Sequence, residues 1–126
     1  MSYGISHSII TRCIVTGGGL MEYSGGPMTE AMYYVLLALI NPNHGYSLMN
    51  EIKEVSNGRV NMGPGTLYGV LKRIQKEGLI QLKEDDGRKK VYSITESGGR
   101  ALQEEYNRLL TMVADGEVLK EGDIFG

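Results

Sequence analysis

The stretch from Met62 to Ile80 most strongly limits what this chain can fold into. Four aliphatic residues recur along it at i, i+3, i+4 and i+7, which is one apolar stripe on a helix. They are Leu67, Val70, Leu71 and Ile74. Pro64 lies where a first-turn proline is tolerated, and Gly78 lies where a left-handed residue ends a helix without steric cost. The pattern therefore predicts a helix over Pro64–Glu77.

The face of this helix opposite the stripe carries no bulky aliphatic residue. It holds Gly65, Gly69, Lys72 and Lys76, with Tyr68 and Gln75 on one flank. Two glycines in an exposed helix cost about 1 kcal/mol each relative to alanine, so a plain solvent face would rarely keep both. A face that approaches another backbone closely and carries two lysines suits a phosphate-lined groove.

After Gly78 the apolar pattern changes its period. The dipeptide Asp86-Gly87 lies between two β-prone runs and predicts a hairpin with a charged turn. A helix, a strand, a charged turn and a second strand follow one another as in a winged helix, although a simple solvated turn is the alternative for such a hairpin. The expected fold is mostly α with a small antiparallel β-hairpin, a winged helix-turn-helix followed by a C-terminal dimerisation helix.

Several short motifs, in this order and spacing, resemble the N-terminal winged helix of PadR-type transcriptional regulators. They are His44-Gly-Tyr46, Pro64-Gly-Thr-Leu-Tyr68, Leu71-Lys-Arg-Ile74, Glu77-Gly-Leu-Ile80, Gly87-Arg-Lys-Lys-Val-Tyr92, Ile94-Thr95 and Gly98. The resemblance covers about Met28 to Met112. It implies a DNA-binding regulator of the short subfamily, which has a single helix after the wing. Members of the family typically repress transcription, so the resemblance also implies repression.

The charge distribution is compatible with a nucleic-acid partner although the net charge is −2. Residues 53–100 carry ten Lys/Arg against six Asp/Glu, whereas residues 101–126 carry two against six. The middle of the chain is thus locally basic and its end is acidic, so one face can still bind phosphates.

The chain offers little for catalysis, metal binding or membrane insertion. Its one cysteine, Cys13, excludes an internal disulfide and fits a reducing cytoplasm, and with only His7 and His44 beside it a zinc site is not expected. No apolar run approaches the ~18 residues needed to span a bilayer. Gly17-Gly-Gly-Leu20 lacks the spacing and the lysine of a phosphate loop. We therefore expect no enzyme, no cofactor and no membrane partner.

Two further helices have apolar faces that predict a homodimer. The helix over Glu30–Ile40 is apolar nearly all round, so it must be buried on more than one side, by its own core and by a partner subunit. A last helix, capped by Thr95, extends to about Ala114. The expected dimer-interface residues are Met32, Tyr33, Leu36, Leu37, Leu102, Tyr106, Leu109 and Val113.

The chain divides into four expected segments. Residues 28–95 form the winged helix-turn-helix, residues 96–116 the dimerisation helix, and residues 117–126 an acidic tail. Residues 1–27 are glycine-rich and are open to four interpretations: a mobile arm, a short strand, a leader, or an upstream start that is not the natural one. We expect this extension to be dispensable for the core activity.

Double-stranded DNA is the expected partner. It is bound by the helix over Pro64–Glu77, which we call the recognition helix, and by the wing. The candidate DNA-binding residues are Tyr46, Gly65, Thr66, Tyr68, Gly69, Lys72, Arg88, Lys89 and Lys90; the roles of the two tyrosines, packing the helix-turn-helix and reaching the DNA backbone, are implied by the resemblance. The resemblance also implies a small aromatic effector between paired C-terminal helices, for which Tyr106 and Met112 are candidates, with plain dimer core as the alternative. The competing hypothesis for the whole chain is a winged helix that binds only protein.

Overall fold

Four α-helices and a three-stranded antiparallel sheet make up the part of the chain that the computed structural model describes, residues 27–122. The helices are α1 (Glu30–Ala38), α2 (Gly45–Val55), α3 (Pro64–Lys76) and α4 (Glu96–Asp115), followed by a 3-10 helix (Glu117–Glu121). The strands are β1 (Asn43–His44), β2 (Ile80–Asp85) and β3 (Lys90–Ile94). This order confirms the predicted winged helix.

Helix α1 begins at a side-chain cap and lies in the centre of the protomer. The hydroxyl of Thr29 accepts a hydrogen bond from Met32 N at 3.1 Å, which satisfies one of the free N–H groups of the first turn. Four of its nine residues are buried, and the other apolar ones are partly buried, so the helix has little fully exposed apolar surface. The helix ends at Ala38 with Leu39 as its C-cap, so the predicted end at Ile40 is two residues too far.

A tight turn links α2 to the segment before α3. The buried hydroxyl of Ser56 donates to Ile52 O at 2.8 Å and accepts from Val60 N at 2.9 Å. Asn57 and Gly58 then take positive φ values of 55° and 79°, which reverse the chain. The Ser56 side chain thus adds to the backbone bonds that already end α2, such as Ser56 N to Ile52 O at 3.1 Å, and links that end to Val60.

Helix α3 packs on the core through the predicted apolar stripe. Leu67, Leu71 and Ile74 are at most 1% exposed, and Val70 is half-buried at the edge of the core. The helix ends at Lys76, and Gly78 adopts φ +78°, the left-handed conformation expected of a glycine after a helix.

The sheet has the strand order β1-β3-β2. The β2–β3 hairpin is the predicted wing, with Leu82 opposite Tyr92, an irregular register between Leu82 and Glu84, and Gly87 at φ +92° in the turn. Strand β1 was not predicted. It has only two residues, and these pair with Tyr92 and Val91 of β3, so no two-residue periodicity could reveal it.

Only the first half of α4 packs against the protomer. Thr95 caps the helix, as predicted, and Ala101, Leu102 and Glu105 are buried. Beyond them Leu109 is partly buried, and four apolar side chains are about half exposed or more, namely Tyr106, Leu110, Met112 and Val113. The second half of the helix therefore extends past the core of its own chain.

The predicted dimer interface is wrong for three of its residues. Met32, Leu36 and Leu102 are 0–2% exposed within a single protomer, so they belong to its core and present no surface to a partner. They lie where α1, α3 and α4 converge, and a helix apolar all round satisfies its burial largely within its own domain. Tyr33, Leu37 and Leu109 remain partly exposed.

Two of the predicted segments extend beyond the described residues. The expected extension, residues 1–27, is described only at Pro27, which is exposed. The acidic tail, residues 117–126, is described to Gly122, and its first five residues form the 3-10 helix with Val118 and Leu119 each 60% exposed.

Candidate nucleic-acid interface

The exposed face of α3 is bare backbone flanked by polar side chains. A Cβ added at Gly65 or Gly69 would meet no atom within 4 Å, and Thr66 and Lys72 beside them are exposed. Neither glycine is therefore needed for packing against residues 27–122 of the protomer. Because both positions lack a side chain, another molecule can approach the α3 backbone closely here.

No side chain in the described part of the chain caps the N-terminus of α3. Gly63 is the N-cap residue and Pro64 occupies the first turn, so the N–H groups of Gly65 and Thr66 are offered at the positive end of the helix dipole. Such a helix end attracts phosphate oxygens.

The tip of the wing is fixed by its own aspartates. The carboxylate of Asp86 accepts hydrogen bonds from Lys89 N at 2.8 Å and Arg88 N at 3.1 Å, and these bonds lower the pKa of Asp86. Asp85 Oδ1 likewise accepts from Gly87 N at 2.9 Å. The two carboxylates thus order the backbone that carries the basic side chains.

The three basic side chains of the wing project into solvent. Arg88, Lys89 and Lys90 are exposed, and among the ion pairs of residues 27–122 none involves them. The pairs formed there join other residues, for example Arg73 to Glu77 at 3.4 Å on α3. The positive charge of the wing is therefore available to an external anion.

A cleft of about 480 Å³ separates the wing from the first turn of α2 and from Tyr68 of α3. It is lined by His44, Gly45, Tyr46, Tyr68, Gly87, Arg88, Lys89, Lys90 and Tyr92. Tyr46 is 70% exposed and Tyr68 is 51% exposed, so both rings reach the surface at the cleft. Five of the nine predicted DNA-binding residues, the two tyrosines and the three wing cations, come together here.

The other four predicted residues, Gly65, Thr66, Gly69 and Lys72, do not line the cleft and lie on α3 outside it. Tyr68 is the link between the two groups. It stands three residues after Gly65 and four before Lys72, spacings that place neighbours on one helical face. The cleft and the bare face of α3 therefore form one continuous surface, which we call the α3–wing surface.

Sequence reasoning missed why a glycine follows His44. A Cβ at Gly45 would lie 2.8 Å from Tyr68 Cζ and closer still to its hydroxyl oxygen, so the tyrosine ring crosses over the start of α2. The His44 imidazole contacts Ser47 Oγ at 3.0 Å within the same turn. His44 and Gly45 thus have structural roles next to the two tyrosines. In the sequence, only the glycine at the start of a helix indicated that another group lies close to the backbone here.

The predicted effector residues are not enclosed in the described protomer. Tyr106 and Met112 are 48% and 54% exposed on the second half of α4. A cavity of about 390 Å³ lies nearby between α1 and α4, and its walls include Tyr33, Glu105 and Leu109 but neither predicted residue. The Glu105 carboxylate there accepts from Arg108 Nε at 3.0 Å, and this contact lowers the pKa of Glu105.

Among residues 27–122, no helix combines the length and the apolar composition of a membrane span. The same range contains no group of three or more His, Cys, Asp or Glu side chains placed to hold a metal ion.

Comparisons with known proteins identify both a family and a fold. Residues 35–104 match the Transcriptional regulator PadR-like family. The chain is 36% identical over 88 residues to the transcriptional regulator YqjI of Escherichia coli strain K12, an alignment that covers 70% of this chain and 42% of that protein. It spans less than half the length of the curated relatives it matches, 22–42%.

Solved structures share the architecture at low sequence identity. A PadR family transcriptional regulator from Eggerthella lenta superposes with a TM-score of 0.59 and 20% identity over 92% of each chain. RosR of H. salinarum superposes with a TM-score of 0.56 and 22% identity, covering 76% of this chain and 99% of that one. At these identities the likeness supports the winged-helix fold alone.

Proposed function

This chain belongs to the PadR-like family of transcriptional regulators, and on that premise we propose that it binds double-stranded DNA through the α3–wing surface as a two-fold dimer. Its target is a promoter with a pseudo-palindromic operator, and its site of action is the cytoplasm. Occupying such an operator blocks transcription, so the expected outcome is repression.

The α3–wing surface is the observation that carries this proposal. It combines an α3 backbone that carries no side chain at Gly65 and Gly69 with three exposed wing cations that form no ion pair among the described residues. A duplex requires both features, because a helix must enter the major groove closely while cations neutralise the flanking phosphates. A winged helix that binds only protein requires neither a helix face without side chains nor unpaired cations on its wing.

Each part of the surface has a distinct role in the proposed complex. The first turn of α3, at Gly65 and Thr66, donates its free N–H groups to a phosphate. Gly69 and Lys72 lie in or beside the major groove, and Tyr46 and Tyr68 contact the backbone at the cleft. Arg88, Lys89 and Lys90 lie along the flanking backbone or minor groove.

Sequence readout in this arrangement depends partly on DNA shape. The α3–wing surface has few side chains of the Arg–guanine or Asn–adenine kind that read bases through paired hydrogen bonds. Phosphate contacts dominate, so half-site spacing and groove width contribute to operator choice.

Dimerisation uses the second half of α4, whose apolar side chains are left exposed by residues 27–122 of their own chain. Tyr106, Leu110 and Val113 are 48–65% exposed, which is costly for a helix face left in water. Pairing two such faces about a two-fold axis presents two α3 helices about one DNA turn apart, on the order of 34 Å. A small aromatic effector held between the paired helices near Tyr106 and Met112 would weaken that arrangement.

The test is a selection from a random duplex library, followed by titration of the selected duplex at several salt concentrations. The protein is expected to enrich a dyad of two half-sites and to lose affinity steeply with salt. A variant with alanine at Lys72, Arg88, Lys89 and Lys90 is expected to lose that binding while keeping its fold. A folded protein that enriches no sequence, or a variant that binds as well as the parent, would leave the protein-only winged helix as the better hypothesis.

A further inference from the structure

One side chain is hydrogen-bonded to the ends of two helices. The Thr95 hydroxyl donates to Gly78 O, just past α3, at 2.7 Å and accepts from Gly98 N in the first turn of α4 at 3.0 Å. Thr95 N also donates to Leu79 O at 3.0 Å. The cap of α4 is therefore at the same time a link to the end of the recognition helix.

Gly98 brings the backbones at this link into direct contact. A Cβ at Gly98 would lie 2.9 Å from the carbonyl carbon of Leu79, closer still to its oxygen, and 2.9 Å from Ile94 Cγ1. The position lies inside an ordinary helix, so glycine is required here for space and not for backbone conformation. The first turn of α4 thus rests on the backbone at the start of β2.

The recognition helix is bonded to the same two residues from the other side. Leu79 N donates to Ile74 O at 2.9 Å, and Gly78 N donates to Gln75 O at 3.0 Å. A continuous set of hydrogen bonds therefore runs from the last turn of α3 through Gly78, Leu79 and Thr95 into α4. No flexible linker interrupts it.

We propose that Thr95 and Gly98 form a spacing junction, which fixes the angle between α3 and α4 and so selects the half-site spacing of the operator. This inference rests on the proposed function, because it needs a dimer that pairs through α4. Helix α4 has 20 residues and is about 30 Å long. A tilt of about 10° at its start moves its far end by about 5 Å, more than the 3.4 Å of one base-pair step.

The junction can be tested by changing one hydroxyl group and comparing spacing preferences. Thr95→Val keeps the shape of the side chain and removes the two hydrogen bonds of the hydroxyl group. Thr95→Ser keeps these two bonds. Thr29→Val is the matched control, since Thr29 caps α1 through Met32 N and has no bond to α3. Each variant is checked for folding by circular dichroism and titrated with the dyad selected by the parent protein, at its own spacing and with one base pair added or removed.

The parent and the Thr29→Val variant are expected to bind the selected spacing about tenfold more tightly than either neighbour. Thr95→Val is expected to reduce that ratio to about threefold or less, and Thr95→Ser to retain it. Gly98→Ala keeps the hydroxyl but separates the same backbones, and is expected to lose the preference as well. A Thr95→Val profile equal to that of Thr29→Val would overturn the junction and leave the proposed function intact, whereas a parent that selects no dyad would overturn the proposed function itself.

Discussion

Replacing Arg88 and Lys89 by alanine tests how the wing contributes to DNA affinity. Both side chains are exposed and neither has an ion-pair partner among the described residues, so their removal costs the folded protein no salt bridge. The backbone of the turn is held by Asp85 and Asp86, whose bonds go to main-chain N–H groups and survive the change. The effect should therefore fall on binding and not on folding.

The size of the effect follows from counterion release. Each phosphate neutralised by a cation contributes about −0.9 to the slope of log affinity against log salt concentration. The double variant removes two cations from each protomer and four from a dimer, so the slope becomes shallower by about 3.6. Between about 50 and about 200 mM salt, the parent should lose roughly 100-fold more affinity than the variant.

The assay is a fluorescence-anisotropy titration of a selected duplex at five salt concentrations. The control carries alanine at Lys53 and Lys120, which removes the same charge from α2 and the 3-10 helix, away from the α3–wing surface, and breaks only the exposed ion pair of Lys120 with Glu117. The control should keep the parent slope. Equal slopes for the parent and the wing variant would refute the assignment of phosphate contacts to the wing.

Three further changes have defined outcomes. Gly45→Ala should lower the free energy of unfolding in urea by displacing the Tyr68 ring, and the loss should disappear in a Tyr68→Ala background. Leu71→Ala should cost about 2–5 kcal/mol of unfolding free energy, because the side chain is only 1% exposed. The hydrogen bond from Arg108 lowers the pKa of Glu105 in the folded protein. The ionised carboxylate therefore stabilises the fold above the ordinary glutamate pKa, and this stabilisation is lost as the pH falls through the folded-state pKa. In Glu105→Gln the melting temperature should fall less steeply under acid conditions.

Each of these changes has a result that would contradict it. Gly65→Ala is the control for Gly45→Ala, because a Cβ there meets no atom and only the helix preference for alanine remains. If both glycine variants behave alike, the close approach of Tyr68 has no consequence. Leu110→Ala, at a half-exposed position of α4, should cost a monomer far less than Leu71→Ala. An unchanged acid slope in the Glu105→Gln variant would mean that the buried carboxylate does not drive acid unfolding.

Much of the fold could be predicted because its signals are local. The stripe of α3, the glycine that ends it and the charged turn of the wing are each fixed by a few neighbouring residues, and the structure contains all three. Thr95 was identified as a cap for the same reason. The exposed face of α3 was also predictable, because the absence of bulky residues at helical spacing is visible in one sequence.

The rest depends on contacts between distant parts of the chain. The two residues of β1 form a strand only because β3 lies beside them, and the space next to Gly45 is occupied only because the Tyr68 ring crosses it. Because α1 is apolar nearly all round, part of its apolar face is predicted to contact a partner subunit. Met32 and Leu36 on that face are instead buried within their own protomer. Periodicity shows that a face is buried and does not show which element buries it.

The most direct test of the central claim is to map where DNA touches the protein. The ¹⁵N-labelled protein, titrated with a selected duplex, should show amide chemical-shift changes concentrated at Gly65–Lys72 and Arg88–Lys90. Changes confined to the second half of α4, with the amides of α3 and the wing unmoved by a saturating duplex, would contradict it.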